Sequence, residues 1–146
     1  MNDRLTRVSA YAVCVRGETL LLVHQSAPGP AQDRWTLPGG GIEFGESPIA
    51  TVRREVAEET NLDATVHQLL GVHDDVYPGD DGILRHGIRL LFRADVHGTV
   101  QPATGEIDGI GWYAIGQLPS STTDWGLLAA RLLMDTDPEV GDRSAG

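Results

Sequence analysis

The strongest constraint on this chain is a short helix that carries more acid than its own stability would select. Ser47 can cap it and Pro48 suits its first position. Ile49, Val52 and Val56 fall at i, i+3 and i+7 and predict a core-facing stripe. The helix should stop near Asn61, which tolerates the left-handed conformation. Glu55, Glu58 and Glu59 fall at i, i+3 and i+4 and share one sector beside that stripe. Like charges at these spacings repel by roughly 0.2–0.5 kcal/mol per pair. The acids also sit in the C-terminal half, where the helix dipole disfavours them, and only Arg53 and Arg54 offset them. A solvated acidic face is the plain alternative. Clustered carboxylates on a rigid element are also what a hard divalent cation such as magnesium requires. Gly39-Gly40-Gly41 precedes the helix, either as a tight turn or as backbone able to approach a ligand, with a carbonyl free to join a metal shell.

The rest of the chain predicts strands and one more helix. Residues 8–16 and Thr19–Gln25 read as a hairpin across Gly17-Glu18. Residues 26–33 contain Pro28, Gly29 and Pro30 and predict a loop, followed by a short strand at 35–37. Strands are expected at 64–76, 87–96 and 109–114. A second helix is expected over 123–134, with Leu127, Ala130 and Leu133 or Met134 facing inward. This pattern predicts an α+β fold, a mixed sheet flanked by helices rather than a regular βαβ repeat. At 146 residues the chain has the length of a single domain, with its core at about 8–134 and a polar, disordered tail at about 135–146.

Charge and composition narrow the partners. The net charge is −10 and no basic stripe is visible, which disfavours stable binding to a nucleic acid polymer. A phosphorylated small molecule remains compatible if metal ions neutralise the site. The apolar runs at 19–23 and 88–92 are too short to cross a bilayer, so no membrane partner is expected. Residues 1–7 lack the apolar stretch of a signal peptide, which predicts a cytoplasmic protein. Cys14 is the only cysteine, so no intrachain disulfide can form, and its strand context predicts a buried small hydrophobe. His24, His67, His73, His86 and His97 lack metal-ligand spacing.

Spacing then joins the glycine run to the acidic helix. After Gly40 come five residues and Glu46, then seven residues and Arg54-Glu55. Aliphatic Val56, Ala57, Glu58-Glu59, Thr60, Asn61 and Leu62 follow. This resembles the Nudix box, agreeing at eight of its nine defined positions, with Asn61 in place of the second glycine. Trp35-Thr36-Leu37-Pro38 before the box and Trp112 near the last strand are also similar to the family's surroundings.

The resemblance implies an α/β/α sandwich and a Mg2+-dependent hydrolase, with Mn2+ as an alternative ion, that cleaves a diphosphate linkage. Carried over by position, Glu55, Glu58, Glu59 and the Gly40 carbonyl would be metal ligands. Arg54 would orient a box glutamate, and Glu46 would support the loop or the metal waters. Glu59 and Glu106 are both candidates for the general base, and Glu58 belongs to the same catalytic group. Arg34, Trp35 and Tyr77 are candidate substrate contacts, although Trp35 also reads as core. The substrate would be a nucleoside diphosphate joined to another moiety: a nucleoside triphosphate, ADP-ribose or a nucleotide sugar, or a dinucleoside polyphosphate. Tyr77 and Pro78 match the offsets that separate family subgroups, but they point to different ones. The rival class is a catalytically silent nucleotide-binding or regulatory module, and a homodimer is common among look-alikes.

Overall fold

The computed structural model describes residues 4–101 and 105–136. Its elements are β1 (Arg4–Val13), β2 (Val15–Arg16), β3 (Thr19–Gln25), β4 (Arg34–Thr36), β5 (Gly39–Gly41), α1 (Pro48–Thr60), β6 (Asp63–Pro78), β7 (Leu84–His97), β8 (Ile107–Ala114) and α2 (Asp124–Thr136). They form two four-stranded sheets with a helix on either side. The first sheet has the order β5-β1-β7-β6. It is mixed, because β1 runs parallel to β7 while β5 and β6 pair antiparallel to their neighbours. In the second, β3 is central; β8 lies along one of its edges, and β2 and β4 pair with opposite ends of β3.

The expected strand over residues 8–16 is two strands in different sheets. β1 ends at Val13, and only Val15 and Arg16 pair with Leu20 and Thr19. The cause is burial on both faces. Tyr11 and Val13 pack toward α2, whereas Ala10, Ala12 and Cys14 pack toward α1. A strand apolar on both sides belongs in the middle of a covered sheet rather than in a half-solvated hairpin. Leu20 and Leu22 likewise face α2, and Leu21 faces α1. The period-two alternation therefore creates two cores, one under each helix, which is the α/β/α layering.

Three expectations need correction. The glycine run is an edge strand: Gly41, Gly40 and Gly39 pair with Ser9, Ala10 and Tyr11. A Cβ at Gly39 would lie 2.4 Å from the Ala10 carbonyl oxygen, so only glycine allows the strand this close. In α1, Ile49 is 47% exposed, and the buried face is Thr51, Val52, Val56, Glu59 and Thr60. The inward sector is set by Glu59 reaching the sheet edge, which turns Ile49 out. In α2, Leu127 is 44% exposed, while Trp125, Ala129, Ala130 and Leu133 face inward. Trp125 takes the inward position at the helix start and rotates Leu127 to solvent.

Other readings agree with the structure. The Ser47 side chain accepts the Ala50 N–H at 3.1 Å, and Asn61 ends α1 at φ 66. Cys14 is buried, and burial pushes its thiol up to about 12, so it packs as a hydrophobe. No described helix is long and apolar enough to cross a membrane. Most of the tail at 135–146 lies outside the described residues.

The α2 register is directly testable. Leu133→Ala should cost about 2–5 kcal/mol in denaturant unfolding, as buried leucines do. Leu127→Ala should cost less than about 1 kcal/mol, because surface changes are small. Equal losses at the two positions would contradict this register.

Candidate functional site

The site begins where α1 meets the edge strand. The Glu59 carboxylate is 7% exposed, and its Oε1 accepts the Gly39 N–H at 2.8 Å. Burial raises its pKa well above the usual carboxylate range; the Gly39 N–H opposes this, and the charges of Glu55, Glu106 and Glu58 add to it. Glu55 is shifted upward too, chiefly by burial, against the pull of Arg54. A Cβ on Gly40 would sit 2.8–3.0 Å from the Glu55 carboxylate, so glycine here leaves that acid its place.

Arg54 organises the surrounding acids. Its Nε donates to Glu46 Oε2 at 2.7 Å and its Nη2 to Glu46 Oε1 at 2.9 Å, a two-pronged contact. Nη1 donates to Glu55 Oε1 at 2.7 Å and, more weakly, to Glu58 Oε2 at 3.4 Å. Nη2 also reaches the Gly41 carbonyl at 3.2 Å. Glu46 additionally accepts the Thr51 hydroxyl at 2.6 Å. The Arg54 hydrogen bonds, followed by that of Thr51, hold Glu46 down at about 2. Helix, glycine strand and intervening loop are thus tied through one guanidinium.

Glu55, Glu59, Glu106 and Gly40 all line a cleft of about 730 Å³. Glu58 does not; it lies half exposed beside Arg54. Among the described residues, no three acidic, histidine or cysteine side chains already converge as a cation cage. The expected trio is therefore split: Glu55 and Glu59 line the cleft, while Glu58 lies outside it beside Arg54. The donor chemistry nonetheless fits a hard cation. Two inward carboxylates sit with raised pKa values, repelling each other, and all the available donors are oxygens.

Arg34 and Tyr77 line the cleft as well, Arg34 with one Nη2 contact to the Thr122 carbonyl at 3.3 Å. Trp35 is not among the lining residues. Its ring stands edge-on to Tyr113 and His24, with centroids 4.8 and 5.2 Å away, so it is a packing residue here. Arg89 is a cleft residue that no motif in the sequence marks. It is 2% exposed, lines the cleft, donates to Asp75 at 2.8 Å and lies 3.9 Å from the Trp125 ring. A lone arginine inside the apolar run 88–92 was the available signal. Arg7, beside Gly41, also lines the cleft and was not singled out.

Comparison with known proteins finds relatives of this chain. A family model described as NUDIX domain matches residues 5–133. A MutT-like protein from Streptomyces ambofaciens is 33% identical over 108 residues, covering 74% of this chain and 64% of the relative. A Mycobacterium tuberculosis protein with the provisional name 8-oxo-dGTP diphosphatase 2 is 37% identical over 93 residues, covering 64% of this chain and 62% of the relative. The match thus spans less than two thirds of either relative's length. The crystal structure of a MutT NUDIX hydrolase from Burkholderia pseudomallei superposes with a TM-score of 0.77 at 26% identity, covering 88% of this chain and 98% of that one.

The Arg54 clamp makes an acid-range prediction. Glu46 titrates at about 2 in the fold. An unfolded glutamate titrates at about 4.3. A lowered folded pKa contributes stability above the unfolded value and loses it as pH falls through the folded one. Denaturant unfolding between about pH 4.3 and pH 2 should show Glu46→Gln flattening this loss relative to the parent. Parallel pH profiles would refute the clamp.

Proposed function

The chain belongs to the Nudix family, and on that premise we propose that it is a divalent-metal-dependent pyrophosphohydrolase. It would cleave the diphosphate linkage of a nucleoside diphosphate joined to another moiety. The observation that carries this is the pair of inward carboxylates, Glu55 and Glu59, meeting the glycine strand at the wall of a nucleotide-sized cleft. The diphosphatase name of the M. tuberculosis relative supports the same reaction class.

Glu55, Glu58, Glu59 and the Gly40 carbonyl would hold the cation. When bound, a Mg2+ or Mn2+ ion neutralises phosphate charge and lowers the pKa of a water. The protein's own groups do the rest. The Gly39 N–H fixes Glu59 through Oε1. Arg54, itself held by Glu46, keeps Glu55 turned toward Gly40. Glu106 lines the same cleft from the start of β8 and is the carboxylate we assign to accept the proton of the attacking water, with Glu59 as the alternative. Arg34, Arg7 and Tyr77 line the walls where the phosphates and the rest of the substrate would lie. All the box acids are present, which favours a working enzyme over a silent binding module.

A panel of deoxynucleoside triphosphates, ADP-ribose, nucleotide sugars and dinucleoside polyphosphates, assayed with Mg2+ for released phosphate or nucleotide, tests the proposal. At least one class should turn over, and chelation should abolish turnover. Glu59→Gln should lower kcat by about 10²-fold or more, the scale of losing an aimed charged group. Activity of Glu58→Gln and Glu59→Gln equal to the parent would sink the metal assignment.

Metal-linked stability gives a second check. Glu59 has a raised folded pKa. The stability it contributes is present below about pH 4.3 and is lost as pH rises through the folded value. Mg2+ needs the ionised acid, so it should raise Tm more at pH 8 than at pH 5. Glu59→Gln should stabilise the metal-free protein at pH 8 and erase most of the Mg2+ response. A Mg2+ shift independent of pH, or unaffected by the substitution, would contradict this role.

A further inference from the structure

The floor of the cleft away from the acids is built around a buried cation that the proposed chemistry does not use. Arg89 lies on β7 at the register position of Ser9 on β1 and His73 on β6. Its Nη1 donates to Asp75 Oδ1 at 2.8 Å and contacts His73 Nδ1 at 3.2 Å. The guanidinium lies 3.9 Å from the Trp125 ring centroid and 5.6 Å from that of Tyr77. Gly87 leaves it room, since a Cβ there would sit 2.9 Å from Arg89 Nη2 and 3.1 Å from the Tyr77 ring.

Two observations separate this cluster from an ordinary buried ion pair. Arg89, Asp75, Tyr77 and Trp125 all line the same cleft as the acids. The Trp125 indole N–H, in a residue only 2% exposed, has no hydrogen-bond acceptor among the described residues. An unsatisfied buried donor costs on the order of 1–3 kcal/mol. Such defects call for an explanation, and keeping the Trp125 ring under the Arg89 guanidinium at the floor of the cleft is one. Tyr11 lies between the two ends of the cleft, pairing with Gly39 in register and feeling the charges of both Arg89 and Glu59.

We propose that Arg89 and Asp75, walled by Trp125 and Tyr77, form the subsite that reads the nucleobase of the substrate, with preference for a base bearing a ring carbonyl beside a ring N–H. This rests on the reading of the cleft as a nucleotide site. A phosphate is a poor occupant, because it presents only acceptors and the Asp75 carboxylate would repel it. A nucleobase edge presents acceptors and donors side by side, and the half-buried Tyr77 ring can border it. The wall is richer in donors than in acceptors, with the guanidinium and the Tyr11 hydroxyl set against one carboxylate. A carbonyl oxygen has two lone pairs and a ring nitrogen one, so keto bases satisfy this wall better than amino bases.

The test is binding of GMP, UMP, AMP and CMP in the presence of Mg2+, by calorimetry, to the parent protein and to Arg89→Lys, Arg89→Gln and Asp75→Asn. GMP and UMP should bind the parent about 10-fold or more tightly than AMP and CMP, since sites built to hydrogen-bond a polar group discriminate at least this well. Each variant should reduce that ratio to within about 3-fold, whereas a purely structural role would weaken all four nucleotides alike. Asp75→Asn changes a partly exposed group, so it keeps the test valid if the Arg89 variants unfold. Hydrolysis of the substrate panel is measured in parallel. A protein that hydrolyses the panel yet binds the four monophosphates alike, or keeps its preference in Asp75→Asn, overturns the subsite alone. A protein that neither hydrolyses nor binds them overturns the nucleotide reading as well.

Discussion

The hydrogen bond from the Gly39 N–H to the Glu59 carboxylate is the contact on which the rest of this site depends. It joins the last turn of α1 to an edge strand of three glycines, and it brings a carboxylate to a depth that a charge does not reach without partners. One backbone donor is a small return for that burial. Glu59 accordingly has a raised pKa and is further crowded by neighbouring acids. The helix therefore holds a group that the fold does not favour in its ionised form. Under the proposed function, a bound cation would supply the partner that this carboxylate lacks.

Arg54 explains why the cluster does not fly apart. A planar fork can serve several carboxylates at once without losing its charge. Here two of its nitrogens are committed to Glu46 and one points to Glu55. Glu46 is fixed in turn by the Thr51 hydroxyl and by its own loop at the Glu43 N–H. The loop between β5 and α1 is therefore set by side-chain bonds rather than by regular structure. This fits the spacing of the glycine run, Glu46 and Arg54-Glu55: a strand carbonyl at Gly41, a loop carboxylate and a helix carboxylate all reach one guanidinium. Arg54 reaches both Glu55 and Glu58, so these acids belong to one ion-pair network.

The parts of this structure that were legible in the sequence are those determined by local chemistry. Ser47, Pro48 and Asn61 define α1 through capping and backbone preference, and the helix has those bounds. The spacing of the acids pointed to the loop–helix unit because it reflects a single contiguous segment. What was not legible depends on tertiary packing. Nothing local distinguishes Val13 from Val15, yet the chain changes sheets between them, because burial on both faces places β1 between its neighbours. Ile49 and Leu127 match the helical period and still face solvent, because Glu59 and Trp125 set the rotation of their helices. The glycine run reads either as a tight turn or as backbone that approaches a ligand, and its pairing with β1 comes from a close approach to Ala10 that no glycine count reveals.

Arg89 marks the limit of pattern reading most clearly. In the run Ile88-Arg89-Leu90-Leu91-Phe92 a charge looks like an interruption of an otherwise apolar strand. Its side chain is nevertheless more buried than that of Leu90 or Ile88, with its charge facing Asp75 and its plane against Trp125. Ion pairs of this kind contribute little net stability, and apolar replacements of similar volume often do as well or better. Stability is therefore a weak reason for a cation at the floor of a cleft. Burial does give it a fixed orientation, because a guanidinium stacked on an indole and tethered at one nitrogen has few rotamers left. A fixed donor fork opening on the same cavity as the acids is suited to choosing what those acids act on, and an arginine free in solvent would not be.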